Sequence, residues 1–107
     1  MKRGEVWWVN FNNSIGEEIN KTRPAIIISN DVSNELLQRV QIVPLTSNVL
    51  KCYSSEAIIN VNHRKNKALA HQITTVSKKR LKSKIGIVSI KDLNLVEQAI
   101  KVQLMFY

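Results

Sequence analysis

The chain has 107 residues, 44% of them hydrophobic, and its sixteen Lys and Arg against eight Asp and Glu give a net charge of +8. That suffices for one compact core and not for two ordinary domains, so residues 1–107 are read as a single domain. With one cysteine (Cys52) and two histidines (His63 and His71), the chain is without an internal disulfide and short of soft ligands for a structural zinc site; no apolar run nears the roughly 18 residues of a membrane span.

Met1-Lys2-Arg3 runs straight into Gly4-Glu5 without the pattern of a signal peptide, and a cytoplasmic protein is expected. Glu5 to Phe11 reads as a strand of β-branched and aromatic residues. Within it the adjacent Trp7 and Trp8 must face opposite sides, one into the core and the other free to pack at a dimer interface or to stack on a base. Asn12 to Thr22 is a turn-rich loop and a candidate lid. Pro24 to Ser29 is a continuous apolar run suited to a strand buried on both faces. Asp31 to Leu37 suits one short helical turn, and Gln38 to Leu45 and Glu56 to Val61 read as two further strands. Ala68 to Val76 and Ile85 to Val88 complete a sheet of five or six short strands, for which a small barrel is the natural packing. Ser89-x-x-Asp92 resembles a capping box, and Leu93, Val96, Ile100 and Leu104 then recur at helical spacing, so the chain closes with a helix.

The positive charge is unevenly spread. Between Ala57 and Lys84 stand eight basic residues (Arg64, Lys65, Lys67, Lys78, Lys79, Arg80, Lys82 and Lys84) with no Asp or Glu among them. Such a stretch suits either a polyanion-facing surface or a solvated lysine-rich face, and it lacks the amphipathic helical pattern of a membrane-surface segment.

Four stretches, in order, are similar to the MazF/PemK (Kid) family of toxins from type II toxin-antitoxin systems. They are Lys2-Arg3-Gly4-Glu5-Val6-Trp7, Thr22-Arg23-Pro24-Ala25, Val43-Pro44-Leu45-Thr46-Ser47 and His71-Gln72-Ile73-Thr74-Thr75-Val76. The resemblance implies a mainly β fold, an SH3-like barrel with a C-terminal helix. It also implies a homodimer with an RNA groove and a sequence-specific endoribonuclease that cuts single-stranded RNA, messenger RNA above all, with no metal or other cofactor. A cognate antitoxin would inhibit it by laying an acidic tail in the basic groove and displacing the Asn12 to Thr22 loop.

Cleavage of RNA through its own 2′-hydroxyl needs a proton acceptor, a proton donor for the leaving 5′-oxygen, and donors around the phosphorane. Arg23 matches the family's catalytic arginine, and its planar, permanently charged fork suits phosphate binding better than proton abstraction. Thr46 matches the family's active-site threonine, with Ser47 beside it to support the same contact. His71 stands where relatives often carry an acid, and an imidazole is chemically the better proton shuttle, so it joins Arg23 and Thr46 as a catalytic candidate. Gln72, Glu17, Glu18 and Lys21 are candidates for contacts to substrate or for orienting Arg23. Two departures, Thr74 in place of an arginine and Lys65-Asn66 in place of Asp-Ser, bear on which bases are recognised. A non-catalytic RNA-binding module on the same barrel, or a gyrase poison of the CcdB kind, remains open at this stage.

Overall fold

Runs of β-branched residues separated by polar turns build a strongly curled antiparallel sheet. The computed structural model describes residues 1–12 and 21–106. The strands are β1 (Glu5–Asn10), β2 (Thr22–Ile27), β3 (Arg39–Thr46), β4 (Glu56–Val61), β5 (Arg64–Leu69), β6 (Thr74–Ser77) and β7 (Leu81–Ile87). Helix α1 (Asp31–Leu36) separates β2 from β3, α2 (Ile90–Leu104) closes the chain, and 3-10 turns lie at Ala70–Gln72 and Lys78–Arg80. The loop expected after Phe11, with Glu17 and Glu18, falls outside the described residues.

The sheet runs β4-β5-β3-β2-β1-β7, with β6 on the same edge of β3 as β5. It is a half-barrel, because β4 and β7 at the two ends of that order are not paired in the ladder. Alternation places one set of side chains inside. Val6, Ile26, Val43, Leu45 and Ile59 are buried with Val96 and Ala99 of α2, while Val9, Ile27, Val40 and Ile42 form a second cluster under Trp7. Each fully buried Val or Ile contributes about 1.5–3 kcal/mol, so these two clusters dominate the stability of the fold.

Three expectations from the sequence are corrected here. Ala68 to Val76 is not one strand: β5 ends at Leu69, a 3-10 turn follows, and β6 resumes at Thr74 farther along the same edge of β3. Pro44, which has no N–H to donate, sits in β3 between the two pairings. The last strand begins at Leu81 rather than Ile85; its polar Lys82-Ser83-Lys84 hides it from a periodicity reading because the strand ends the sheet order and is exposed there. Finally, Ser89 does cap α2, accepting from the Asp92 amide at 3.1 Å, but the Asp92 carboxylate accepts from the Asn60 amide of β4 instead of reaching back to Ser89. The cap therefore also docks the helix on the sheet.

The β4–β5 hairpin turns through Asn62 and His63, both at positive φ (49° and 66°), the turn geometry that matches the twist of paired strands. Asn62 then bridges the open seam: its Nδ2 donates to the Ile85 carbonyl of β7 at 2.9 Å. Gly86 makes room for it, since a Cβ there would lie 2.7 Å from Asn62 Oδ1. Gly86→Ala is expected to displace that amide and cost of the order of 1 kcal/mol, about 4 °C in Tm. In an Asn62→Ala background the same substitution should cost almost nothing further, and thermal unfolding of the double-mutant cycle checks this.

Candidate active site

A groove of about 620 Å³ lies at this seam. Its walls come from separate parts of the sheet: Trp8 of β1 with Arg23 and Pro24 of β2, Thr46 and Ser47 at the end of β3, and Asn62, Arg64, Lys65 and Asn66 of the hairpin, with Leu45, Val61 and Ile85 as its apolar lining. Two catalytic candidates far apart in sequence thus meet because β2 and β3 are neighbours in the sheet, with Ala25 opposite Pro44. None of the described residues lining the groove is acidic, and three are cationic.

Arg23 is set by the pairing of β2 with β1, where it stands opposite Val9. It is exposed, and among the described residues its side chain has no hydrogen-bond or ion-pair partner. In contrast, Arg3 pairs with Glu97 at 3.5 Å and donates to the Ile28 carbonyl, and Arg80 donates to main-chain carbonyls. The Arg23 fork is therefore left available for an anion. Thr46 is half-buried, and its Oγ1 accepts from the Asn48 amide at 3.2 Å, which leaves the hydroxyl hydrogen free to donate into the groove. Ser47, exposed beside it, also lines the groove.

Trp8 has 42% of its surface exposed on the groove side, while Trp7 packs on the second core cluster and donates from Nε1 to Glu5 at 3.0 Å. The two indoles thus face opposite sides, Trp7 toward the core and Trp8 toward the groove. Burial alone would raise the Glu5 pKa, but bonds from Trp7, the Lys2 amide and Lys84 outweigh it and hold the carboxyl below its ordinary value. Glu5 is thus a structural anion at the foot of β1.

His71, Gln72 and Lys21 do not line the groove. His71 Nε2 lies 3.3 Å from Glu56 Oε2, and the buried Lys67 ammonium approaches Glu56 Oε1 at 3.5 Å while donating to the Lys51 carbonyl at 2.8 Å. Glu56 also accepts from the Tyr53 amide, and this bond first, then those from His71 and Lys67, lowers its pKa. The cluster pins residues 51–53 against β5. Gln72 is exposed on the 3-10 turn, and Lys21 contributes its main chain to the base of the β1–β2 connection. Glu17 and Glu18 lie outside the described residues. Arg64 was legible only as part of the basic stretch, Lys65 and Asn66 also as the departure from Asp-Ser that bears on base recognition, and nothing local in sequence marked Asn62 as a groove residue. Among the described residues no group of three or more His, Cys, Asp or Glu converges in a way that would hold a metal ion.

A curled half-barrel with a closing helix and, at its seam, a groove whose described lining is cationic and holds no acid is a small β protein shaped to receive a polyanion. The chain belongs to the family of PemK-like, MazF-like toxins of type II toxin-antitoxin systems, whose sequence pattern matches residues 2–104. Endoribonuclease MazF9 of Mycobacterium tuberculosis is 34% identical over 113 aligned positions, covering 97% of this chain and 96% of that one. Endoribonuclease MazF of Staphylococcus saprophyticus is 30% identical over 110 positions, covering 97% and 91%. Among solved structures, a mycobacterial endoribonuclease in complex with its cognate antitoxin superposes with a TM-score of 0.85 at 20% identity, over 100% of this chain and 97% of that one. A MazE-MazF structure from Deinococcus radiodurans gives 0.85 at 21% identity over 100% and 97%. These two likenesses establish the fold.

Proposed function

We propose that this chain is a sequence-specific endoribonuclease toxin that cuts single-stranded RNA at the seam groove without a metal, and that Arg23 and Thr46 carry the chemistry. The observation that supports this most is the Arg23 guanidinium, unpartnered among the described residues, sharing with the Thr46 hydroxyl a groove whose described lining holds no acid. In the reaction the ribose 2′-oxygen bonds to phosphorus as the bond to the 5′-oxygen breaks. The 2′-hydroxyl loses its proton and the leaving oxygen gains one, giving a 2′,3′-cyclic phosphate and a 5′-hydroxyl. Charge builds on the non-bridging oxygens, where the Arg23 fork and the Thr46 hydroxyl donate. Arg64 and Lys65 hold the flanking phosphates, which makes binding salt-dependent. His71, seated on Glu56, is the candidate proton carrier outside the one-chain groove.

The same reading extends to partners. A homodimer is the expected assembly, with messenger RNA as the principal substrate and a cognate antitoxin whose acidic segment competes for the groove, as the cationic lining and the +8 net charge favour. No helix among the described residues is long and apolar enough to cross a membrane.

Single-stranded RNA should be cut and single-stranded DNA of the same sequence bound but left intact, because DNA lacks the attacking oxygen; cleavage of the DNA would refute the mechanism. Thr46→Val, which preserves shape and removes the donor, is expected to slow cleavage about 10–100-fold, and Thr46→Ser to retain most of it. Initial rates at saturating RNA measure both.

A further inference from the structure

Arg80 belongs to the acid-free basic stretch, which by sequence suits either a polyanion-facing surface or a solvated face. Its geometry says otherwise. The guanidinium Nη1 donates to the Asn10 carbonyl at 3.1 Å and to the Asn12 carbonyl at 2.8 Å, spanning 70 and 68 residues of chain. Both acceptors lie at the stem of the β1–β2 connection. There the Phe11 amide donates to the Lys21 carbonyl at 2.9 Å, Asn10 pairs with Thr22, and the Asn12 side chain accepts from the Lys21 amide.

The turn that carries Arg80 is itself held firmly. The Lys78 amide donates to the Gln38 carbonyl at 2.9 Å, Ser77 caps the turn through the Lys79 amide at 3.2 Å, and the next residue, Leu81, is buried opposite Val9 of β1. Val9 is therefore flanked by Leu81 on one side and by Arg23 on the other. A half-buried arginine fixed at one end and bonded to two carbonyls at the other acts as a strut between the start of β7 and the end of β1, whose Val9 and Asn10 pair with Arg23 and Thr22 of β2.

We propose that Arg80 is a positioning residue that clamps the stem of the β1–β2 connection and so fixes the placement of Arg23, and that it is not a phosphate contact. The proposal rests on the ribonuclease reading above. Displacement of a phosphate-binding group by an ångström is enough to cost a large part of a catalytic rate.

The test compares the full-length wild type with Arg80→Ala and Arg80→Lys in three measurements. These are kcat and KM on a single-stranded RNA, the salt dependence of binding to single-stranded DNA of the same sequence, and hydrogen exchange of the Phe11 amide. For Arg80→Ala the expected result is a kcat at least tenfold lower with KM and the salt slope unchanged and Phe11 exchanging faster; Arg80→Lys, which keeps a donor, recovers part of each. A raised KM with a slope shallower by about 0.7 would mark a lost phosphate contact and overturn the proposal. A lower Tm with kcat unchanged at the assay temperature would overturn it equally, as a purely structural role. A wild type that binds but cuts nothing would fail the ribonuclease reading and positioning together, while the Phe11 exchange would still show whether the clamp exists.

Discussion

Arg23→Ala is expected to lower the rate of RNA cleavage about 100- to 1,000-fold, the scale seen when a donor to a developing oxyanion is removed, while thermal stability stays close to that of the wild type. The two halves of that expectation come from one observation. The Arg23 side chain is exposed and unpartnered among the described residues, so its truncation removes no bond made among them. In the transition state its fork meets charge that is absent from the bound substrate, so the loss falls on kcat more than on KM. Arg23→Lys keeps the charge but not the planar pair of donors and should fall between the two. A Tm that drops along with activity would mean that Arg23 has a structural partner and that its catalytic role is overstated.

Glu56→Ala is expected to be the most destabilising single change outside the apolar core. Glu56 and Lys67 have side chains only 6% and 11% exposed, so removing the carboxylate strands a buried ammonium and frees the Tyr53 amide. Breaking a buried ion pair costs about 3–5 kcal/mol, and this pair, open to His71 on one side, belongs near or somewhat below the lower end of that range. His71→Ala should cost well under half as much, because the imidazole is 38% exposed.

The same cluster sets an acid limit. The Glu56 pKa is lowered in the folded state from an ordinary value of 4.5, and that of Glu5 likewise. A carboxylate depressed in this way stabilises the fold above its unfolded-state pKa and loses that contribution as pH falls through the folded one. Stability should therefore hold steady from neutrality to about pH 5 and decline below about pH 4.5, with Glu56→Ala removing part of the slope. Thermal unfolding from pH 3 to 8 reads all three effects. A Glu56→Ala protein as stable as wild type would show that the Lys67 ammonium finds another partner.

Most of the sheet was legible because its strands bury apolar faces. Ala25-Ile26-Ile27 and Ala57-x-Ile59-x-Val61 announce themselves by runs and by alternation. The strands that were missed or misplaced are the ones that bury little. β5 opens on Arg64-Lys65-Asn66 and β7 exposes Lys82, Ser83 and Lys84; both are held by ladder bonds and by the Asn62 bridge rather than by apolar periodicity. The site divides in the same way. Arg23, Thr46 and Ser47 sit in motifs and were named from them, and the structure gathers all three in one groove. His71 and Gln72 belong to a motif too, yet the 3-10 turn that interrupts the expected strand turns His71 toward Glu56. Arg64 and Asn62 enter the groove only because a hairpin folds back across the seam, a long-range event that no local pattern records.

A groove with this lining is expected to cut RNA by itself. The direct measurement is incubation of the purified chain with a long single-stranded RNA in excess EDTA, followed by mapping of the new 5′ ends, with Arg23→Ala in parallel. The predicted result is a set of discrete, sequence-restricted cuts bearing 5′-hydroxyls that vanish in the variant. An RNA left whole by the wild type, or cuts that persist without Arg23, would contradict it.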